Sequence, residues 1–383
     1  MSQIHRAPVQ RWVSAGYQPP HLDDPPVTLV FGPAVRAVPQ TDPAAAEHLR
    51  ALPRAALSVL LPTYVARCDA ELQAAALDHV LGRLKPIRHE HPDLPVIVWL
   101  GMQSDDRDGG EAVDRLTQVL ANRAAQDGVT VVGLAIPGRG KLRTINAAIR
   151  VSRELGCRGW VWIDDDVELD EFCLSRLVTR FFDRGGRGAV GGTETALVGE
   201  AVPARLMGAL STHTVPPYSY PKAACMLVAT AVLADGISPR RFTDDGFVLF
   251  ELLARASDHA PPDFEMVTDA RYRYFRVSRS GDTLRRLRRS MYSHVTCMAD
   301  YPWRAAHRYF AQHLFYGLWP LAPWDGRRGP VRGLVRWGLK AIHFTWFCWV
   351  ALGLAARALV GRPLRQVGWG DDGDFRTPLS GRA

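Results

Sequence analysis

Short apolar runs and helix-spaced apolar positions alternate between residues 57 and 163. Leu57-Ser58-Val59-Leu60-Leu61 is an apolar run that halts at Pro62, the pattern of a buried strand. From Asp69 to about Leu84, the residues Leu72, Ala76, Leu77, Val80 and Leu84 recur at helix spacing. Val96–Leu100 predicts a second strand that runs into a polar turn, Gln103-Ser104-Asp105-Asp106. A second helix is expected over Gly110–Ala125 and a third strand over Val129–Ile136, broken by Gly138-Arg139-Gly140. Leu142–Leu155 predicts a third helix, and Trp160–Ile163 a fourth strand ending on Asp164-Asp165-Asp166. This alternation predicts an α/β fold, a Rossmann-like and mostly parallel sheet with helices on both faces. Ligands of such sheets bind beyond the carboxyl ends of the strands. The polar clusters at 62–64, 103–106, 138–141 and 164–166 all fall there.

Beyond Asp170 the pattern loosens. Ala189–Glu194 predicts a strand, Ala223–Leu233 is hydrophobic, and Asp244–Ala256 predicts a helix. An Arg-rich segment, 271–290, follows. Residues 1–56 hold nine prolines without a period and read as an extended or partly disordered arm. The chain thus divides into an arm (1–56), an α/β domain (57–300) and an aromatic and basic C-terminal region (301–383).

Composition narrows the classes. With 47% apolar and 22% charged residues, wholesale disorder and a fibrous repeat are excluded. The net charge is +8, but Arg271 to Lys340 alone carries fifteen Lys and Arg against three acids, or +12, leaving −4 elsewhere. That disfavours a nucleic-acid coat, so no nucleic-acid partner is expected, and favours a local basic stretch facing phosphates. The six cysteines form no CxxC pair and no zinc spacing, which suits reduced buried thiols and a cytoplasmic setting. No signal-peptide pattern opens the chain. Ala341–Ala356 runs for 16 residues without a charge, short of the roughly 20 a spanning helix needs. Arg327, Arg328, Arg332, Arg336 and Lys340 precede it. Such a cationic flank suits a helix lying on anionic lipid, with a single span or a buried core helix as alternatives. The first of these places the protein at the inner face of the cell membrane.

Four motifs carry candidate chemistry. Asp164-Asp165-Asp166 is either a solvated loop or a set of carboxylates that a divalent cation neutralises. Gly138-Arg139-Gly140-Lys141 lacks the glycine spacing and the Ser or Thr of a P-loop, and reads as a turn entering a helix. Thr243-Asp244-Asp245-Gly246 is either a helix cap or a general base placed across a cleft. Leu284-Arg285-Arg286-Leu287-Arg288-Arg289 is either a solvated face or a diphosphate clamp.

Taken in order, these motifs resemble the family-2 glycosyltransferases of GT-A fold, which include cellulose-synthase-like and dolichyl-phosphate-sugar-synthase-like enzymes. The resemblance covers residues 57–292. It implies inverting, metal-dependent transfer of a sugar from a nucleoside-diphosphate sugar donor to an acceptor hydroxyl, with a lipid-linked or membrane-proximal acceptor as one option. It also implies roles for individual residues. Pro62, Thr63 and Tyr64 would hold the nucleotide base, and Lys141 would lie near the donor. Asp164 would lie near the ribose and, with Asp166, at the Mg²⁺ or Mn²⁺ ion, and Asp164 and Asp165 would complete the donor site. Asp245 would be the catalytic base. Arg285, Arg286, Arg288 and Arg289 would cover the diphosphate; two of them replace the Gln and Trp of the family's element, which weakens a processive reading. The alternatives are a nucleotidyltransferase and a non-catalytic relative that binds sugar nucleotides.

Overall fold

Eleven short strands form one mixed sheet among the described residues, with order β2-β1-β6-β4-β3-β7-β10-β9-β11-β8 and β5 beside β6. In chain order they are β1 (Thr28–Val30), β2 (Arg36–Ala37), β3 (Leu57–Tyr64), β4 (Val96–Ser104), β5 (Ala125–Gln126) and β6 (Val129–Pro137). Then come β7 (Gly159–Ile163), β8 (Val167–Leu169), β9 (Ala189–Leu197), β10 (Cys225–Ala229) and β11 (Phe264–Phe275). The helices are α1 (Ala70–Glu90), α2 (Gly110–Leu120), α3 (Lys141–Ser152), α4 (Cys173–Asp183), α5 (Asp244–Arg255), α6 (Trp303–Tyr309) and α7 (Pro330–Leu359). The computed structural model describes residues 27–31, 36–37, 47, 49–52, 54, 57–67, 69–106, 108–121, 125–126, 129–138, 140–152, 155–165, 167–197, 219–234, 236–237, 244–257, 261–275, 291–295, 297–298, 301–315 and 330–360.

The parallel part is β6-β4-β3-β7. Its strands are buried on both faces, which explains their continuous Val, Ile and Leu content. The chain builds outward from β3 through β4 to β6 and then crosses back to β7. Right-handed crossovers therefore put α1 and α2 on one face and α3 on the other. Accordingly α1 packs on α2 and α4, whereas α3 packs on β3, β4 and β6. The reversal of strand order lies between β3 and β7, and ligands of open α/β sheets bind at such a point.

The sheet is not mostly parallel, as the sequence pattern predicts. Of the remaining pairings only β9 with β11 is parallel, while β10 runs antiparallel to both β7 and β9. An antiparallel neighbour needs no crossover helix, so the strands after Asp170 can extend the sheet without the regular strand–helix alternation of the parallel part. β1, from the proline-rich stretch, covers the outer edge of β6.

Several boundaries shift for identifiable reasons. β3 passes through Pro62 to Tyr64, because its ladder to β7 ends at Leu60 and that side no longer needs an N–H. β4 continues past Leu100 to Ser104, because Gln103 is satisfied internally: it donates to Thr144 Oγ1 at 2.6 Å and accepts from Gly140 N at 2.6 Å. α1 is capped by the Asp69 carboxylate on Leu72 N at 2.8 Å. It runs through Pro86 to Glu90, where the burial of Leu84 and Ile87 offsets the lost backbone bond. α2 stops at Leu120 rather than Ala125, where the chain turns to pair β5 with β6. α7 is 30 residues long, far longer than the uncharged run that suggested it. No helix among the described residues is long and apolar enough to cross a membrane, so the single-span alternative is not supported.

Candidate functional site

The carboxyl ends of β3, β4 and β7 converge at the switch point. The backbone ladder between β3 and β7 ends at Leu60 opposite Trp162. Three residues further, in the same register, Thr63 Oγ1 donates to Asp165 Oδ2 at 3.2 Å, so a side-chain bond continues the pairing. Both residues are buried. Next to them Tyr64 Oη donates to Asp105 Oδ2 at 2.6 Å, tying the end of β3 to the bend after β4. Asp106 acts elsewhere, its Oδ2 accepting from Glu111 N at 3.0 Å and so holding the start of α2.

Gly138 and Gly140 make the turn into α3. Their φ angles are 81° and 132°, values that L side chains rarely adopt. Gly138 N donates to Ser104 O at 2.8 Å, so the turn is pinned to the end of β4. The segment is a turn, as its sequence implies, and its consequence is the position of Lys141 as the first residue of α3.

Lys141 joins the two acid clusters. Its Nζ lies 2.5 Å from Asp164 Oδ1 at the end of β7 and 2.7 Å from Asp244 Oδ2 at the start of α5. Burial would pull this lysine down, but the charges of Asp164 and then Asp244 outweigh it and hold the ammonium above its ordinary range. Asp244 moves up, because burial outweighs the attraction of Lys141. One cation thus serves two carboxylates about 80 residues apart in sequence.

Asp245 is the neighbour of Asp244 on the first turn of α5, and its Oδ1 accepts from Gly246 N at 2.7 Å. Burial raises its carboxyl above the usual carboxylate range; the Gly246 bond, Lys141 and Lys222 oppose the rise. Its charge is felt by two phenols, the partly buried Tyr220 and the buried Tyr309, which desolvation and then nearby negative charge push up. Both belong to an aromatic wall. His294 stacks on Tyr309 at 5.1 Å, Tyr309 stacks on His313 at 5.7 Å, and Tyr220 meets His313 edge-on at 5.5 Å. On the rim, Lys222 Nζ lies 2.7 Å from Glu194 Oε2.

The structure therefore forms two groupings joined by the adjacent Asp164 and Asp165: Thr63 bonds Asp165 and Tyr64 bonds Asp105, while Lys141 bonds Asp164 and Asp244, with Asp245 next in sequence. Pro62 is an interior strand residue opposite Gly101. Asp166 and the four arginines Arg285, Arg286, Arg288 and Arg289 lie outside the described residues. Sequence reading missed Tyr220, His294 and His313, which stand singly with no motif or spacing to mark them. It also missed what Asn146 does: its side chain donates to Ile237 O and accepts from Ile237 N, each at 2.7 Å. That pair pins a segment leading towards α5 onto α3.

No three or more His, Cys, Asp or Glu residues gather as a metal cage among the described residues. Mg²⁺ does not require one, since one or two carboxylates and substrate phosphates suffice. Asp164 fits such a donor set: its carboxylate is 21% exposed at the crevice.

No protein-family model matches the chain, and no curated protein matches it. Among solved structures it is similar to mannosyl-3-phosphoglycerate synthase from Rubrobacter xylanophilus, at 12% identity, over 67% of this chain and 78% of that one, with a TM-score of 0.36. An overlay this loose does not bear on which reaction the chain runs.

Proposed function

We propose that the chain transfers a sugar from a nucleoside-diphosphate sugar to an acceptor hydroxyl, with inversion, on a GT-A-type framework. The observation that carries this reading is the Lys141 bridge. It unites the acids beyond β7 with those opening α5, at the point where the sheet reverses order.

In this reading the donor lies across the ends of β3 and β7, its base near Thr63 and Tyr64. Asp164 and Asp166 would hold Mg²⁺ or Mn²⁺, which when bound would neutralise charge on the departing diphosphate. Lys141 places a fixed positive charge at the same point. It needs no reorganisation as negative charge develops on the leaving group. Arg285, Arg286, Arg288 and Arg289 would supply guanidinium contacts to the diphosphate oxygens.

Asp245 is the base that takes the acceptor proton. Burial raises its carboxyl, which makes it a better proton acceptor than an exposed aspartate. Attack on the anomeric carbon from the side opposite the diphosphate gives inversion. A membrane-proximal acceptor is part of the proposal.

Asp245→Asn tests it, with water standing in as acceptor. Donor hydrolysis should fall by roughly 10²- to 10⁴-fold, while donor affinity stays within a few-fold. Unchanged hydrolysis would remove Asp245 from the role of base.

A further inference from the structure

α7 docks on the body by one side and leaves the other bare. Phe347 is buried, Phe344, Trp346 and Val350 pack partly against the core, and Phe344 meets Phe310 edge-on at 5.7 Å. The opposite side presents Leu334, Ile342, Trp349, Leu352 and Leu359, exposed by 59–88%, with Trp337 at its margin. These residues recur at spacings that return to one helical face. At about 1.5 Å per residue the stripe runs roughly 40 Å. A monomer rarely leaves an apolar patch of this length uncovered.

The charge of the segment says what covers it. From Gly326 to Gly370 the chain contains eight Lys and Arg and no acid. An apolar stripe with tryptophans inside an acid-free cationic segment matches the boundary between acyl chains and anionic headgroups. A nucleic acid would match the charge but not the stripe. A second copy of the chain would bring a like-charged segment against this one.

We propose that α7 is a membrane-docking helix that lies flat on an anionic lipid surface, its Leu334–Leu359 stripe in the acyl boundary and the segment's cations at the headgroups. The proposal goes beyond sugar transfer and does not depend on it. It also fits the geometry of the site, because Phe310, which touches α7, directly follows Tyr309 of the wall behind Asp245.

The test is flotation of the full chain with vesicles of phosphatidylcholine alone or with about a third phosphatidylglycerol, at low salt and at high salt. Binding is expected on the anionic vesicles, with loss on the neutral ones and in high salt. Trp349→Glu with Leu352→Glu should cut the bound fraction roughly tenfold without moving the melting temperature, since both side chains are exposed. Absence of binding to anionic vesicles overturns the proposal. Binding that survives the double substitution overturns the role of the stripe. So does a double variant that only converts a dimer to a monomer in light scattering, which would assign the stripe to a second copy.

Discussion

Lys141 shows how much one residue can organise. It is the first residue of α3, and it neutralises Asp164 from one part of the chain and Asp244 from another. Breaking a buried ion pair by removing one partner leaves uncompensated charge, which costs far more than the pair contributes when intact. Lys141→Met is therefore expected to lower unfolding stability by about 3 kcal/mol at pH 7, measured by urea denaturation. A loss below about 1 kcal/mol would mean that the carboxylates are solvated and the bridge is peripheral. His294 makes the complementary case. Burial and then the neighbouring His313 lower it to about 4, whereas an unfolded histidine titrates near 6.5. The unfolded chain therefore binds the extra proton first as pH falls. The stability contribution of neutral His294 is complete above pH 6.5 and is lost between pH 6.5 and 4, by on the order of 3 kcal/mol. His294→Gln should flatten the stability–pH curve across that window, and an unaltered curve would contradict it.

At the scale of elements, the site depends on how closely α3 approaches β4. Gly101 permits that approach: a Cβ there would collide with Thr144 Cγ2 and come within 3.3 Å of Leu60 Cδ1. Thr144 is also the acceptor for Gln103, whose amide oxygen holds the Gly140 turn. Gly101→Ala should therefore push α3 outward and destabilise the fold by about 2 kcal/mol, with weaker donor binding because Lys141 moves too. Retention of wild-type stability and binding would show that α3 has room to slide. Much of this layer was legible in the sequence. The four parallel strands and the helices between them follow from apolar runs and helix-spaced positions, and the polar clusters do fall at the strand ends. What was not legible depended on partners distant in sequence. Gln103 extends β4 because Gly140 and Thr144 receive it, and β3 passes Pro62 because β7 has ended. β10 runs antiparallel to both of its neighbours, a pairing that no strand–helix alternation announces.

At the scale of the molecule, the chain reads as a parallel half that would hold the donor, joined to a mixed half that supplies Asp245 and its aromatic wall. α7 meets this half at Phe310, the residue after Tyr309 of that wall. The acid clusters at 164–166 and 244–245 could each have been an ordinary helix cap or loop when read alone; only the fold places Asp164 and Asp244 about one lysine. The measurement that tests this account most directly is the melting temperature of the full chain with UDP-, GDP-, CMP- and dTDP-sugars, each with Mn²⁺, Mg²⁺ or EDTA. One nucleotide should raise it, more with metal than with EDTA. The gain should approach about 2.7 kcal/mol at a hundred times the dissociation constant, and it should persist in Asp245→Asn. No rise with any donor under any of these conditions would contradict a nucleotide-sugar site at the β3–β7 crevice.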